Sequence, residues 1–149
     1  MVSLFFINAK LQMTQKLKQN LSNYNRALLS LESNIDKIKI MSEDIEDFDI
    51  YRDSTIQRFE YSVELAKKLM ANYIEAIDKR VHGQRLIIKK AYEFELIESE
   101  IWFEMIDDRN ITSHEYSEEL AKQLLYKIYD YAIELRDCYN IISKRLDEL

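Results

Sequence analysis

The stretch Ile56-Gln57-Arg58-Phe59-Glu60-Tyr61-Ser62-Val63-Glu64-Leu65-Ala66-Lys67-Lys68-Leu69-Met70-Ala71-Asn72-Tyr73-Ile74-Glu75-Ala76-Ile77 decides the fold class. Its apolar residues Ile56, Phe59, Val63, Ala66, Met70, Tyr73 and Ile77 recur at alternating spacings of three and four. That period lines one face of an α-helix and cannot line one face of a strand. Nothing in the stretch breaks a helix, and the whole 149-residue chain has no proline and a single glycine, Gly83. β-Hairpins, Gly-rich phosphate loops and loop-rich folds all draw on those two residues and are set aside. Long helices joined by few turns remain. The length suits one domain with one core.

The same spacing recurs on both sides. Leu17, Leu21, Tyr24, Leu28, Leu31, Ile35 and Ile38 mark a first helix, and Leu125, Ile128, Ala132, Leu135, Tyr139, Ile142 and Leu146 mark the last. Residues 41–50 carry Glu43, Asp44, Glu46, Asp47 and Asp49 without a basic residue and read as a solvated connection. Helix two is expected to span about 40 Å and to stop near Val81-His82-Gly83, where the glycine would supply a left-handed helix end. Residues 85–95 read as a short helix, Ser99 as the N-cap of another over 100–110, and Ser117 with Glu118 and Glu119 as the start of the last. The expected architecture is all-α, an up-and-down four-helix-type bundle with an additional short helix. Tyrosines on or beside the stripes carry hydroxyls that need partners at a bundle edge or subunit interface, which makes a homodimer through helix faces an expectation.

Charge and sulfur narrow the setting. A net charge of −6 argues against a protein that coats nucleic acid non-specifically. The single cysteine, Cys138, has no partner in the chain for a disulfide, so a cytoplasmic location is expected. No apolar run is long enough to span a bilayer, so no membrane association is expected. The opening residues 1–12 are too short and too poor in basic flank for a secretory signal. They read as a frayed end, or as the product of an upstream start with Met13 as the alternative beginning.

A helical bundle invites a carboxylate-bridged metal site, but neither His82 nor His114 completes a Glu-x-x-His pair, and Cys/His zinc spacing is absent. No metal and no cofactor are expected. Glu60 and Glu64 share a face, with Arg58, Lys67 and Lys68 at hand for ordinary ion pairing. The segment Asp107-Asp108-Arg109-Asn110-Ile111-Thr112-Ser113-His114-Glu115-Tyr116 is different in composition from the rest. An Arg can bind phosphate oxygens and stabilise developing charge, and a His can take a proton from a ribose 2′-hydroxyl. Two readings stand at this level: a phosphodiester-cleaving cluster, or side chains that only cap two helix ends. Lys79, Arg80, Arg85, Lys89 and Lys90 form a basic cluster that could follow an RNA backbone or could be a solvated helix end. Against RNA binding, residues 91–108 hold seven acids and no Lys or Arg.

Arg109 to Tyr116 resembles the Arg-x4-His-x-Tyr motif of HEPN-domain proteins. The resemblance is closest to the branch paired with minimal nucleotidyltransferases, often labelled nucleotidyltransferase substrate-binding proteins. Residues 53–66 are similar to that branch's second-helix signature, and Glu100 to Asn110 to its approach to the motif. The likeness runs over residues 14–147, with residues 14–149 as the HEPN-like bundle and 1–13 as an extension expected to be poorly ordered. Lys67, where the branch commonly carries an aromatic, and the extra residues 1–12 depart from the pattern. The resemblance implies a homodimer and Arg109, His114 and Asn110 as the groups of a metal-independent ribonuclease toxin. It also implies Tyr116 as the residue modified by a nucleotidyltransferase encoded in the neighbouring gene. A non-catalytic substrate-binding subunit of a two-component nucleotidyltransferase is the alternative that the same label implies.

Overall fold

A computed structural model of the chain describes residues 3–112 and 117–148. Five helices follow one another: α1 (Leu4–Lys39), α2 (Phe48–Ile77), α3 (Gln84–Glu93), α4 (Ile101–Thr112) and α5 (Glu118–Asp147). Among the described residues there is no strand, and no helix is long and apolar enough to cross a membrane.

The three long helices form the body. α1 and α2 run antiparallel and share the largest contact, and α5 packs against both. The expected stripes are the buried ones: Leu17, Tyr24, Leu28, Leu31 and Ile35 of α1 meet Ile56, Phe59, Val63, Ala66 and Met70 of α2 and Ile128, Leu135 and Ile142 of α5 in one core. Phe59 stacks on Tyr131 with ring centroids 5.6 Å apart. The buried tyrosine Tyr24 donates its hydroxyl to the Leu135 carbonyl of α5, so that polar atom is satisfied inside the bundle rather than at an interface. The α1–α2 pair is also fixed by polar groups, because the Asn34 amide donates to Thr55 Oγ1 at 2.6 Å.

Two boundaries differ from expectation. α2 starts at Phe48, within the acidic connection, and ends at Ile77 rather than near residues 81–83. Asp78, Lys79 and Arg80 have no apolar face to bury, so tertiary packing, which supplies most helix stability, stops with Ile77. Gly83 has a positive φ of 90°, but it precedes α3 as its N-cap instead of closing α2. The glycine is therefore needed for the entry to the next helix. The other starts are as expected. Ser99 Oγ accepts from Ile101 N–H at 3.2 Å, and Ser117 Oγ accepts from Leu120 N–H at 3.2 Å.

Residues 4–13, set apart in the sequence as an extension, are the first turns of α1, and their side chains are exposed. α3 and α4 lie on the opposite side. α4 packs on α2, α3 and α5 and makes no contact with α1.

Candidate functional site

The site is built on the last turns of α4. Trp102, Met105 and Ile106 are buried, and Arg109 lies seven residues after Trp102, so it continues that inward stripe. Its side chain is 19% exposed, and Nε lies 3.2 Å from Glu64 Oε1 on α2. The same carboxylate oxygen holds Lys67 Nζ at 2.8 Å, and Lys67 Nζ donates to Gln84 Oε1 at the start of α3, 2.9 Å away. One carboxylate thus sits between two cations.

The residues beside Arg109 turn by about 100° each and reach different neighbours. Asp107 pairs with Arg85 of α3 at 2.9 Å, while the Arg85 guanidinium stands over the Phe103 ring 5.2 Å from its centroid. Asp108 accepts a hydrogen bond from the Tyr131 hydroxyl of α5 and lies 3.3 Å from Lys127 Nζ. Lys127 also meets Glu104 at 3.0 Å. Three consecutive charged residues therefore tie the end of α4 to α3, α5 and α2 in turn. Burial, followed by the bond to Asp108, pushes the Tyr131 phenol well above its ordinary range, so it stays a donor. The bond to Glu104, ahead of an opposing burial effect, raises Lys127 and keeps it charged.

This pairing changes the weight of the acidic run. Glu93 pairs with Lys90 at 3.2 Å, and Glu104, Asp107 and Asp108 have the partners just given. The carboxylates nearest Arg109 are therefore compensated locally. Of the five basic residues singled out in the sequence, Arg85 reaches α4, Lys90 pairs within α3, Lys79 and Arg80 are exposed in the α2–α3 connection, and Lys89 is exposed on α3. Asn110 follows Arg109 on the exposed side of the helix. His114 and Tyr116 lie outside the described residues.

Glu64 is the residue whose role sequence reasoning missed. Its pairing with Lys67 was the expected ordinary ion pair, but its contact with Arg109 joins helices 45 positions apart in sequence. The available signal was the register of Arg109 with Trp102, which points the guanidinium into the bundle. Arg58, the other expected partner, instead donates to Ser30 Oγ of α1 at 2.8 Å. The largest cavity, about 770 Å³, lies between the end of α3 and α5, lined by Tyr92, Glu98 and Arg145, and contains none of the motif residues. Among the described residues no set of His, Cys, Asp and Glu side chains gathers that could hold a metal ion.

The family model described as "Nucleotidyltransferase substrate binding protein like" matches residues 19–144. The chain belongs to this family. The nucleotidyltransferase substrate-binding family is HEPN-like, and this member is homologous to a protein named probable ribonuclease HepT from Haemophilus influenzae. The two are 34% identical over 132 residues, covering 82% of this chain and 89% of that one. Among solved structures, the chain resembles HI0074 of Haemophilus influenzae, described as the fold of a substrate-binding domain of a nucleotidyltransferase. The TM-score is 0.74 at 29% identity, covering 83% of this chain and 98% of the other. It also resembles a protein of Thermus thermophilus, with a TM-score of 0.65 at 27% identity over 83% and 98% of the two chains. The five-helix, all-α arrangement of this family member is thus the HI0074-like fold.

Proposed function

We propose that this family member is the HEPN component of a two-gene toxin–antitoxin module. It is a homodimeric ribonuclease that cuts RNA without a metal and is silenced by a minimal nucleotidyltransferase. The observation that carries the reading is the anchoring of Arg109 by Glu64 at the end of α4, where the Arg-x4-His-x-Tyr motif begins. A relative named as a probable ribonuclease, matched over most of both chains, supports it.

In this mechanism one His114 takes the proton of a ribose 2′-hydroxyl as its oxygen attacks the adjacent phosphorus. The bond to the 5′ oxygen breaks, and a second His114, across a two-fold axis, returns a proton to that leaving oxygen. A cyclic phosphate and a 5′-hydroxyl result. Arg109 meets the charge growing on the non-bridging oxygens, and Asn110 supports it by hydrogen bonding. Glu64 acts through Arg109 as a positioning residue. The second cation, Lys67, leaves the Glu64–Lys67–Arg109 group with a net positive charge suited to an anionic substrate. Modification of Tyr116 by the partner enzyme would add a bulky anionic group two residues from His114 and repel the substrate phosphate.

A second reading, a non-catalytic subunit that helps a nucleotidyltransferase hold its substrate, draws support from the family description and from the description of HI0074. Co-expression with the neighbouring nucleotidyltransferase distinguishes the two. The toxin reading predicts RNA cutting by the chain alone and loss of cutting with a covalent nucleotide adduct on Tyr116 after co-expression. A complex that forms with unmodified Tyr116, together with a chain that never cuts RNA, establishes the second reading instead.

A further inference from the structure

The two ends of α1 carry opposite chemistry. At its start Leu4, Phe5, Phe6, Ile7 and Leu11 are exposed, Phe5 by 75% and Phe6 by 66%. Four consecutive apolar residues at 100° steps cover the whole circumference of the helix. No acid occurs in residues 1–31, whereas Lys10, Lys16, Lys18 and Arg26 do. α2 comes level with this region near its end, where Asn72 and Glu75 face Ala9, Met13 and Lys16 across a cleft of about 250 Å³. The first turns of α1 therefore project past the bundle. At the other end Ile40, Ile45 and Ile50 are exposed, by 88%, 47% and 67%. They stand among Glu43, Asp44, Glu46, Asp47 and Asp49, which are all exposed.

We propose that this chain pairs with a second copy antiparallel along α1, the basic apolar tip of each seated on the acidic apolar connection of the other. Because one 36-residue helix joins both surfaces, a single two-fold axis forms both contacts at once, and the pair closes. Charge complementarity selects the antiparallel register, since a parallel pair sets lysines against lysines and acids against acids. An anionic lipid surface would suit the tip but would leave Ile40, Ile45 and Ile50 in water, whereas a second copy covers both ends. α1 is the helix that α4 does not touch, so this pairing leaves the Arg109 face open and is independent of any cleft built there.

The test is site-specific cross-linking of the full chain. Phe6→Cys and Ile45→Cys proteins are mixed and treated with a short bis-maleimide. The chain's own Cys138 is buried, and the unsubstituted protein serves as the control. The mixed pair should give a covalent dimer, while Phe6→Cys alone should give little, because the two tips lie about 50 Å apart at 1.5 Å per residue. Reversing Lys10, Lys16 and Lys18 to Glu should cut the yield at least tenfold, and reversing Glu43, Asp44 and Glu46 to Lys in the partner should restore it. Absence of the mixed product, equal cross-linking by Phe6→Cys alone, or indifference to charge reversal overturns the proposal. Absence of the mixed product alongside Phe5- and Phe6-dependent sedimentation with phosphatidylserine vesicles would make a membrane the occupant, and with RNA would make a nucleic acid the occupant.

Discussion

At the residue scale, Arg109 and Glu64 are a pair whose value is geometric. The guanidinium is drawn into the bundle by the Trp102 register and fixed by one carboxylate 3.2 Å away. Glu64→Ala should leave the fold intact yet lower RNA cleavage by on the order of 10²-fold, the cost of misplacing a reacting group by about 1 Å. The loss should appear in kcat more than in KM, with Glu64→Gln less affected because it keeps an acceptor; steady-state kinetics separate these. Arg109 was legible in the sequence as part of a short motif. Glu64 was not, because its contact depends on how α2 and α4 are set against each other, and one-dimensional spacing shows only the partner three residues away, Lys67. A second residue-scale prediction concerns Glu134, whose carboxyl is held above the usual range by burial first and then by Asp137 and Glu98. A raised folded-state value favours the protonated form, so the stability it contributes is present below the unfolded carboxylate range and is lost as pH rises through the folded one. Glu134→Gln should therefore stabilise the protein at neutral pH by less than about 1 kcal/mol. That gain should vanish as the pH falls to the point where both states are protonated, as denaturant melts at pH 3 and 7 would show.

At the element scale, α4 is a short helix that owes its position to its neighbours. Tyr131→Phe removes the donor that holds Asp108 and should destabilise the fold by about 1–3 kcal/mol, read from the urea midpoint. Ser117→Ala removes the side chain that accepts from Leu120 N–H, costing about 1 kcal/mol. The helices themselves were readable because their stripes are long and regular, and the caps Ser99 and Ser117 because serine ahead of an apolar run has a mechanism. The end of α2 was not readable. Its periodic pattern can be continued on paper to Val81, and only the absence of a surface for Asp78, Lys79 and Arg80 to cover stops the helix at Ile77. Gly83 was correctly singled out for a positive φ, but the sequence does not say which helix it serves. Gly83→Ala should cost about 1–2 kcal/mol through the left-handed backbone alone, since a Cβ there meets nothing within 4 Å.

At the scale of the whole molecule, a low-glycine, proline-free chain yields a stiff three-helix body with α4 fixed on one side, and α1 on the other carries basic and acidic ends. The negative charge that argues against RNA binding is distributed unevenly. Glu104, Asp107 and Asp108 are neutralised beside Arg109, and the acids of residues 43–49 stand at the α1–α2 connection. Net charge alone could not reveal this, because it contains no positions. Everything proposed for the reaction rests on the motif beginning at Arg109 cutting RNA by its own side chains. Purified protein, without its nucleotidyltransferase partner, can be incubated with a labelled single-stranded RNA in excess chelator, beside Arg109→Ala and His114→Ala. The expected result is cleavage leaving cyclic phosphate ends by the unsubstituted chain and none by either variant. Cleavage by both variants at the unsubstituted rate would contradict it.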